Sequence, residues 1–105
     1  MKAVIVESFG GPEVLRLVDR DPPAAGPGEV VLEVKAVNIN RADILMRTGK
    51  YHGIKPPPLT LGLGAAGLVH QVGSGVTGFK KGDRVLTVGD PLGSYAELVD
   101  RKSVV

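Results

Sequence analysis

Fifteen glycines and eight prolines cut the 105 residues into apolar runs too short for ordinary helices, and this punctuation constrains the fold more than any other feature. Between the breaks stand Val, Leu, Ile and Ala. With two Phe, two Tyr and no Trp, the core has little aromatic volume to draw on. Short β-branched runs bounded by turn residues read as strands. The expected class is therefore mainly β with one or two short helices, and residues 1–105 fit a single domain.

Lys2 to Glu7 reads as the first strand, ended by Gly10-Gly11-Pro12, with Val14 to Val18 as its hairpin partner. Asp21 to Gly28 (DPPAAGPG) reads as a surface connection, because three prolines interrupt it. Glu29 to Val37 is the clearest strand: Val30, Leu32, Val34 and Ala36 line one face, Glu33 and Lys35 the other. Lys55 to Thr60 (KPPPLT) must be extended. Further strands are expected at Ala66 to Val72, with Leu68, His70 and Val72 on one side, at Arg84 to Val88, and at Ser94 to Val99. Gly73 to Lys81 reads as a loop, Gly82-Asp83 as turn chemistry in which Asp83 bonds nearby amides, and Gly89 to Gly93 as a turn. Ser103 to Val105 begins strand-like sequence that stops, which reads as a truncated unit.

One helix interrupts this pattern. Asn40 is a natural N-cap, and Asp43 places a carboxylate at the third helical position, facing the positive end. Ala42, Leu45 and Met46 form a narrow apolar stripe, Asp43 and Arg47 a favourably ordered i,i+4 pair, and Thr48-Gly49 a stop.

Charge and composition exclude several functions. Thirteen basic and eleven acidic residues are mixed along the chain, so no basic block marks a nucleic-acid partner. The absence of cysteine removes disulfides, thiolate catalysis and cysteine-ligated zinc. No apolar run approaches spanning length, and the opening MKAVIVESFGG lacks the apolar segment and cleavage site of a signal peptide. A soluble cytoplasmic protein with no membrane partner is the expectation.

Gly62-Leu63-Gly64-Ala65-Ala66-Gly67 satisfies G-x-G-x-x-G. That motif grips a dinucleotide only when a strand precedes it and a helix follows, so that the helix N-terminus meets the pyrophosphate. Here a proline-rich segment precedes it and β-rich sequence follows. The glycines read instead as a tight bend and a close approach of backbone to a ligand or neighbouring strand.

Five stretches, taken in order and spacing, carry a resemblance. They are FGGPEVLRL (Phe9 to Leu17), EVVLEVKAVNIN, NRADILMRTGKY (Asn40 to Tyr51), LGLGAAGLVHQVGSGVTGFKKGDRV (Leu61 to Val85) and GSYAELV (Gly93 to Val99). Together they resemble the medium-chain dehydrogenase/reductase superfamily, in its zeta-crystallin-like quinone oxidoreductase branch. The resemblance implies a GroES-like, partly open β-barrel carrying the substrate side of an active site. A Rossmann domain binding NADPH follows in such proteins and is absent from this chain. It further implies hydride transfer to a quinone or enone, with Asn40 and Tyr51 near the nicotinamide and substrate as catalytic residues. Asn can offer an amide N–H to a carbonyl oxygen, and Tyr a phenol.

Zinc-dependent relatives carry Cys where Asn40 stands and His-Glu where Leu63-Gly64 stands, so the resemblance implies no zinc here. His52 and His70, eighteen residues apart, make a poor metal site and are assigned packed or solvated roles. Arg41 and Asp43 are assigned to helix-end electrostatics. Family members commonly bear an acidic residue at the Gly64 position, and its loss bears on how the pocket is ordered. The isolated chain is expected to bind no cofactor, to lack reductase activity, and to self-associate through strand edges or the Ser94 to Val105 region. Two other readings stand beside this one: a non-catalytic binding or self-associating module, and a non-functional folding fragment. A downstream nucleotide-binding domain separates them from the first.

Overall fold

The computed structural model describes residues 1–88 and 92–105, so the expected turn at Gly89 to Gly93 falls largely outside the described residues. The strands are β1 (Lys2–Val6), β2 (Leu15–Asp19), β3 (Val30–Val37), β4 (Leu59–Thr60), β5 (Ala65–Val72), β6 (Arg84–Leu86) and β7 (Leu98–Arg101). A single α-helix, α1 (Arg41–Arg47), and a 3-10 turn at Pro12–Val14 complete the described elements. Two sheets result, in the orders β2-β1-β4 and β6-β5-β3-β7, and they do not close into a barrel. The expected early hairpin forms, β1 against β2 with Ile5 opposite Arg16. β2 is the edge of its sheet and leaves Leu15 and Leu17 exposed. The segment before β7 joins the sheets: Ala96 bridges Ala3, and Val34 N–H donates to the Glu97 carbonyl at 2.9 Å.

β3 and β5 form the longest pairing, and two bulges correct the expected faces. His70 is skipped between the Val31–Gln71 and Leu32–Val69 pairs, and Lys35 between Val34–Gly67 and Ala36–Ala66. Each extra residue resets the alternation of side chains. Ala36, expected inside with Val30, Leu32 and Val34, is therefore exposed. On β5 the buried positions are Ala65, Gly67 and Val69, and the bulge at His70 breaks the expected shared side of Leu68, His70 and Val72, so that Val72 packs on the core with Val69. Gly67 answers to the close approach: a Cβ there would overlap the Glu33 carbonyl on β3.

Two apolar clusters result. Val30, Leu32, Val69, Val85 and Val99 pack on the four-stranded sheet. Val6, Met46 and Leu61 pack between β1 and α1, flanked by Tyr51, Tyr95, Leu63 and Ile54. Elsewhere the turn chemistry follows the sequence: Asp83 accepts from the Lys80 N–H at 2.9 Å, which together with the Lys80 ammonium holds its carboxyl below the usual range. Among the described residues no helix is long and apolar enough to cross a membrane.

Candidate functional site

α1 begins as its sequence requires. Asn40 is extended at the N-cap (φ −125°, ψ 156°) and forms a capping box with Asp43. The Asn40 backbone N–H donates to Asp43 Oδ2 at 2.8 Å. The Asn40 Nδ2 is buried with no acceptor among the described residues. At the other end Thr48 caps and Gly49 turns with φ +77°, where any side chain would strike the Phe9 ring.

The expected Asp43–Arg47 pair does not form. Asp43 is 7% exposed, on the inner side of the helix, and its Oδ2 also accepts the Tyr95 O–H at 2.7 Å. Arg47 turns the other way: its Nε donates to the Gly10 carbonyl at 3.1 Å, and Gly10 N–H donates back to the Arg47 carbonyl at 3.0 Å. A buried carboxylate takes the donors within its own pocket, whereas an arginine at a helix C-terminus finds carbonyls.

Tyr95 was not singled out by the sequence. It sits in the segment before β7, where Val4 N–H donates to its carbonyl at 2.8 Å and its own N–H donates to the Leu61 carbonyl at 3.0 Å. Burial pushes its phenol up to about 12, with the Asp43 hydrogen bond and charge adding to the shift. Gly62 makes room for it. With φ +106°, Gly62 would set a Cβ 2.8 Å from both Tyr95 Cδ1 and Tyr95 N, and against the Ser94 hydroxyl. Ser94 is fully buried and its Oγ has no partner among the described residues. The second half of the glycine motif thus lies in strand β5, with no helix after it among the described residues, and its glycines serve close contacts.

Tyr51 lies just past the helix, packed on the Val6–Met46–Leu61 cluster and stacked on His52 with ring centroids 4.8 Å apart. It lines a cleft of about 1110 Å³ together with His52, Ile54, Thr60, Leu98 and Arg101. Asn40, Asp43 and Tyr95 do not line this cleft. The structure thus sets Asn40 and Tyr51 at opposite ends of α1, and only Tyr51 lines this cleft. At Gly64, a Cβ would come within 3.1 Å of the Asn38 carboxamide, so Asn38 occupies the ground where an acidic side chain would begin. His52 and His70 are exposed, and no group of three or more His, Cys, Asp or Glu among the described residues is placed to hold a metal.

The open two-sheet fold with its one short helix defines a class, and the comparisons name it. Residues 26–102 match the alcohol dehydrogenase GroES-like domain, and the chain belongs to that family. Within it, the chain stands with the N-terminal domains of quinone oxidoreductases of the medium-chain superfamily. It is 44% identical over 98 residues to the quinone oxidoreductase of Lama guanicoe, covering 92% of this chain and 30% of that protein. It superposes on a quinone oxidoreductase of Escherichia coli solved in complex with NADPH, with a TM-score of 0.92 and 37% identity, covering 100% of this chain and 32% of that one. A human synaptic vesicle membrane protein VAT-1 homolog-like protein superposes with a TM-score of 0.96 and 33% identity, over 100% of this chain and 34% of the other. The chain therefore spans about a third of these relatives.

Proposed function

We propose that this chain is the substrate-side domain of a cytoplasmic, zinc-independent oxidoreductase that reduces a quinone or α,β-unsaturated carbonyl with NADPH. The observation that carries this reading is the likeness, along the whole chain, to an E. coli quinone oxidoreductase solved with NADPH. NADPH, when bound by the complete enzyme, supplies the hydride. The part left to this chain is to hold and polarise the acceptor.

Asn40 suits that part. Its Nδ2 is buried and lacks an acceptor, and an unpaired buried donor costs about 1–3 kcal/mol. A carbonyl oxygen of the substrate or of the nicotinamide amide would satisfy it, and in a water-poor site such a donor stabilises developing negative charge. Tyr51 offers a phenol and a ring face on the cleft wall. No step here calls on zinc.

A chimera tests the reading. Residues 1–105 replace the matching domain of the E. coli enzyme, and NADPH oxidation is followed with a quinone acceptor. The chimera is expected to turn over, while the isolated chain stays at the no-protein control. Within the chimera, Asn40→Ala is expected to lower kcat/KM about 100-fold, the scale of losing one oxyanion donor, and Tyr51→Phe by less. Turnover by the isolated chain would overturn the half-site reading. Undiminished kcat/KM in Asn40→Ala would remove Asn40 from the chemistry.

A further inference from the structure

α1 has only seven residues, and a helix of that length does not hold its own position, because nucleation is costly and few internal bonds repay it. Its frame must come from outside. The C-terminal end is tied by the reciprocal Gly10–Arg47 bonds. The N-terminal end, where Asn40 stands, is tied through Asp43. One oxygen, Asp43 Oδ2, accepts both the Asn40 N–H at 2.8 Å and the Tyr95 O–H at 2.7 Å.

Tyr95 is itself gripped. Its main chain bonds to Val4 on β1 and to Leu61 in the bend at Gly62, and its ring packs with Val6, Met46 and Leu61. It comes from a segment 52 residues away from Asp43, so the bond joins the helix to the sheet frame rather than to its own neighbours. A hydrogen bond to a carboxylate is about twice as strong as a neutral one, and a buried carboxylate oxygen has few alternatives.

We infer that Tyr95 is a positioning residue for Asn40: through Asp43 it fixes where the Asn40 amide stands, and Gly62 is glycine because Tyr95 must pass against it. This rests on the proposed role of Asn40, but the placement itself is read independently of that role. It also gives the glycine-rich motif a function that involves no nucleotide. A Cβ at residue 62 would displace Tyr95 first, and Asn40 through it.

The test is Tyr95→Phe, which keeps the ring and deletes the one hydroxyl. In nitrogen-resolved NMR spectra of the 105-residue chain, the backbone and carboxamide resonances of Asn40 are expected to move. Solvent exchange of the Asn40 backbone N–H is expected to quicken about tenfold, while the Gly10 and Lys50 amides at the other end of α1 keep their positions. A folded Tyr95→Phe protein with Asn40 resonances unmoved would overturn the inference. In the chimera the same substitution is expected to lower kcat about tenfold with little change in KM, and to add nothing when Asn40→Ala is already present. Loss of thermal stability with kcat unchanged and Asn40 unmoved would reduce the bond to a structural tie. Asn40 resonances that move while kcat holds would keep the positioning and instead defeat the catalytic reading of Asn40.

Discussion

The two apolar clusters are built on different principles. The one on the four-stranded sheet has an aliphatic centre, Val30, Leu32, Val69, Val85 and Val99, with Phe79 packed against it. The one beneath α1 packs Val6, Met46 and Leu61 against Tyr51 and Tyr95, with the Asp43 carboxylate buried alongside. Unpartnered buried polar atoms occur on both sides but are gathered differently. Among the described residues, Asn40 Nδ2, Asp43 Oδ1 and Ser94 Oγ belong to α1 and the segment facing it, and Nε and Nη2 of the buried Arg101 guanidinium stand at the end of β7. Such atoms each cost about 1–3 kcal/mol when left unpaired. On the helix side these atoms come from three side chains around one short helix, whereas those of the sheet belong to a single arginine at the end of its edge strand.

The largest effect that tests this division is expected at Gly67. A Cβ there would overlap the Glu33 carbonyl, which is backbone and part of the longest strand pairing, so it cannot swing aside. Gly67→Ala is expected to cost more than about 4 kcal/mol, in the range reserved for severe core disruption, and to leave the chain largely unfolded in urea titrations. A loss under about 1 kcal/mol would mean that the β3–β5 pair yields, and the sheet would no longer be the rigid member of the comparison.

A smaller effect is expected on the helix side. Asp43→Ala removes one half of the capping box and the acceptor of the Tyr95 hydroxyl, while packing on Met46 stays intact. The cap is worth about 1 kcal/mol and a hydrogen bond to a charged group about 1.5–3 kcal/mol, offset by relief of the unpaired Oδ1. The expected net loss is about 2 kcal/mol by denaturant unfolding, with the sheet amides still protected from exchange. Loss of protection across both sheets at once would show that the two regions unfold as one unit.

What the sequence disclosed follows the range of the interactions. The hairpin of β1 and β2, the N-cap at Asn40 and the Gly49 stop all depend on residues within a few positions, and each is where local chemistry puts it. The alternation expected along β3 and β5 breaks at Lys35 and His70, because the bulges there arise from how two strands meet, not from either strand alone. The helix-side geometry was the least legible. Asp43 was given Arg47 because i,i+4 neighbours are the only partners a sequence can show. Its actual partner, Tyr95, lies 52 residues on, and nothing in the pattern of either segment announces the contact. The one available signal was Gly62, a glycine before a strand whose role is to admit the segment carrying that tyrosine.

The smallest effect is the alkaline one, and it tests whether the helix side is dry as well as polar. The Tyr95 phenol is pushed up to about 12, chiefly by burial and then by Asp43, against an ordinary value of 10.0. Between those values the unfolded chain has released its phenolic proton and the native chain keeps it, so the unfolded state binds fewer protons and stability falls as pH rises. The contribution is whole below about pH 10, declines across the window and is gone above about pH 12. Partial solvent exposure of Tyr95 screens it, which places it below the loss of Asp43. With only two tyrosines in the chain, Tyr51→Phe leaves Tyr95 alone to be followed by phenolate absorbance. The midpoint is expected near 12 and, because burial is the leading cause, to drop only part of the way in Asp43→Asn. A midpoint near 10 in the folded Tyr51→Phe protein would mean that water reaches the Tyr95 hydroxyl, and that the contrast between a dry polar site and an apolar sheet has been drawn too sharply.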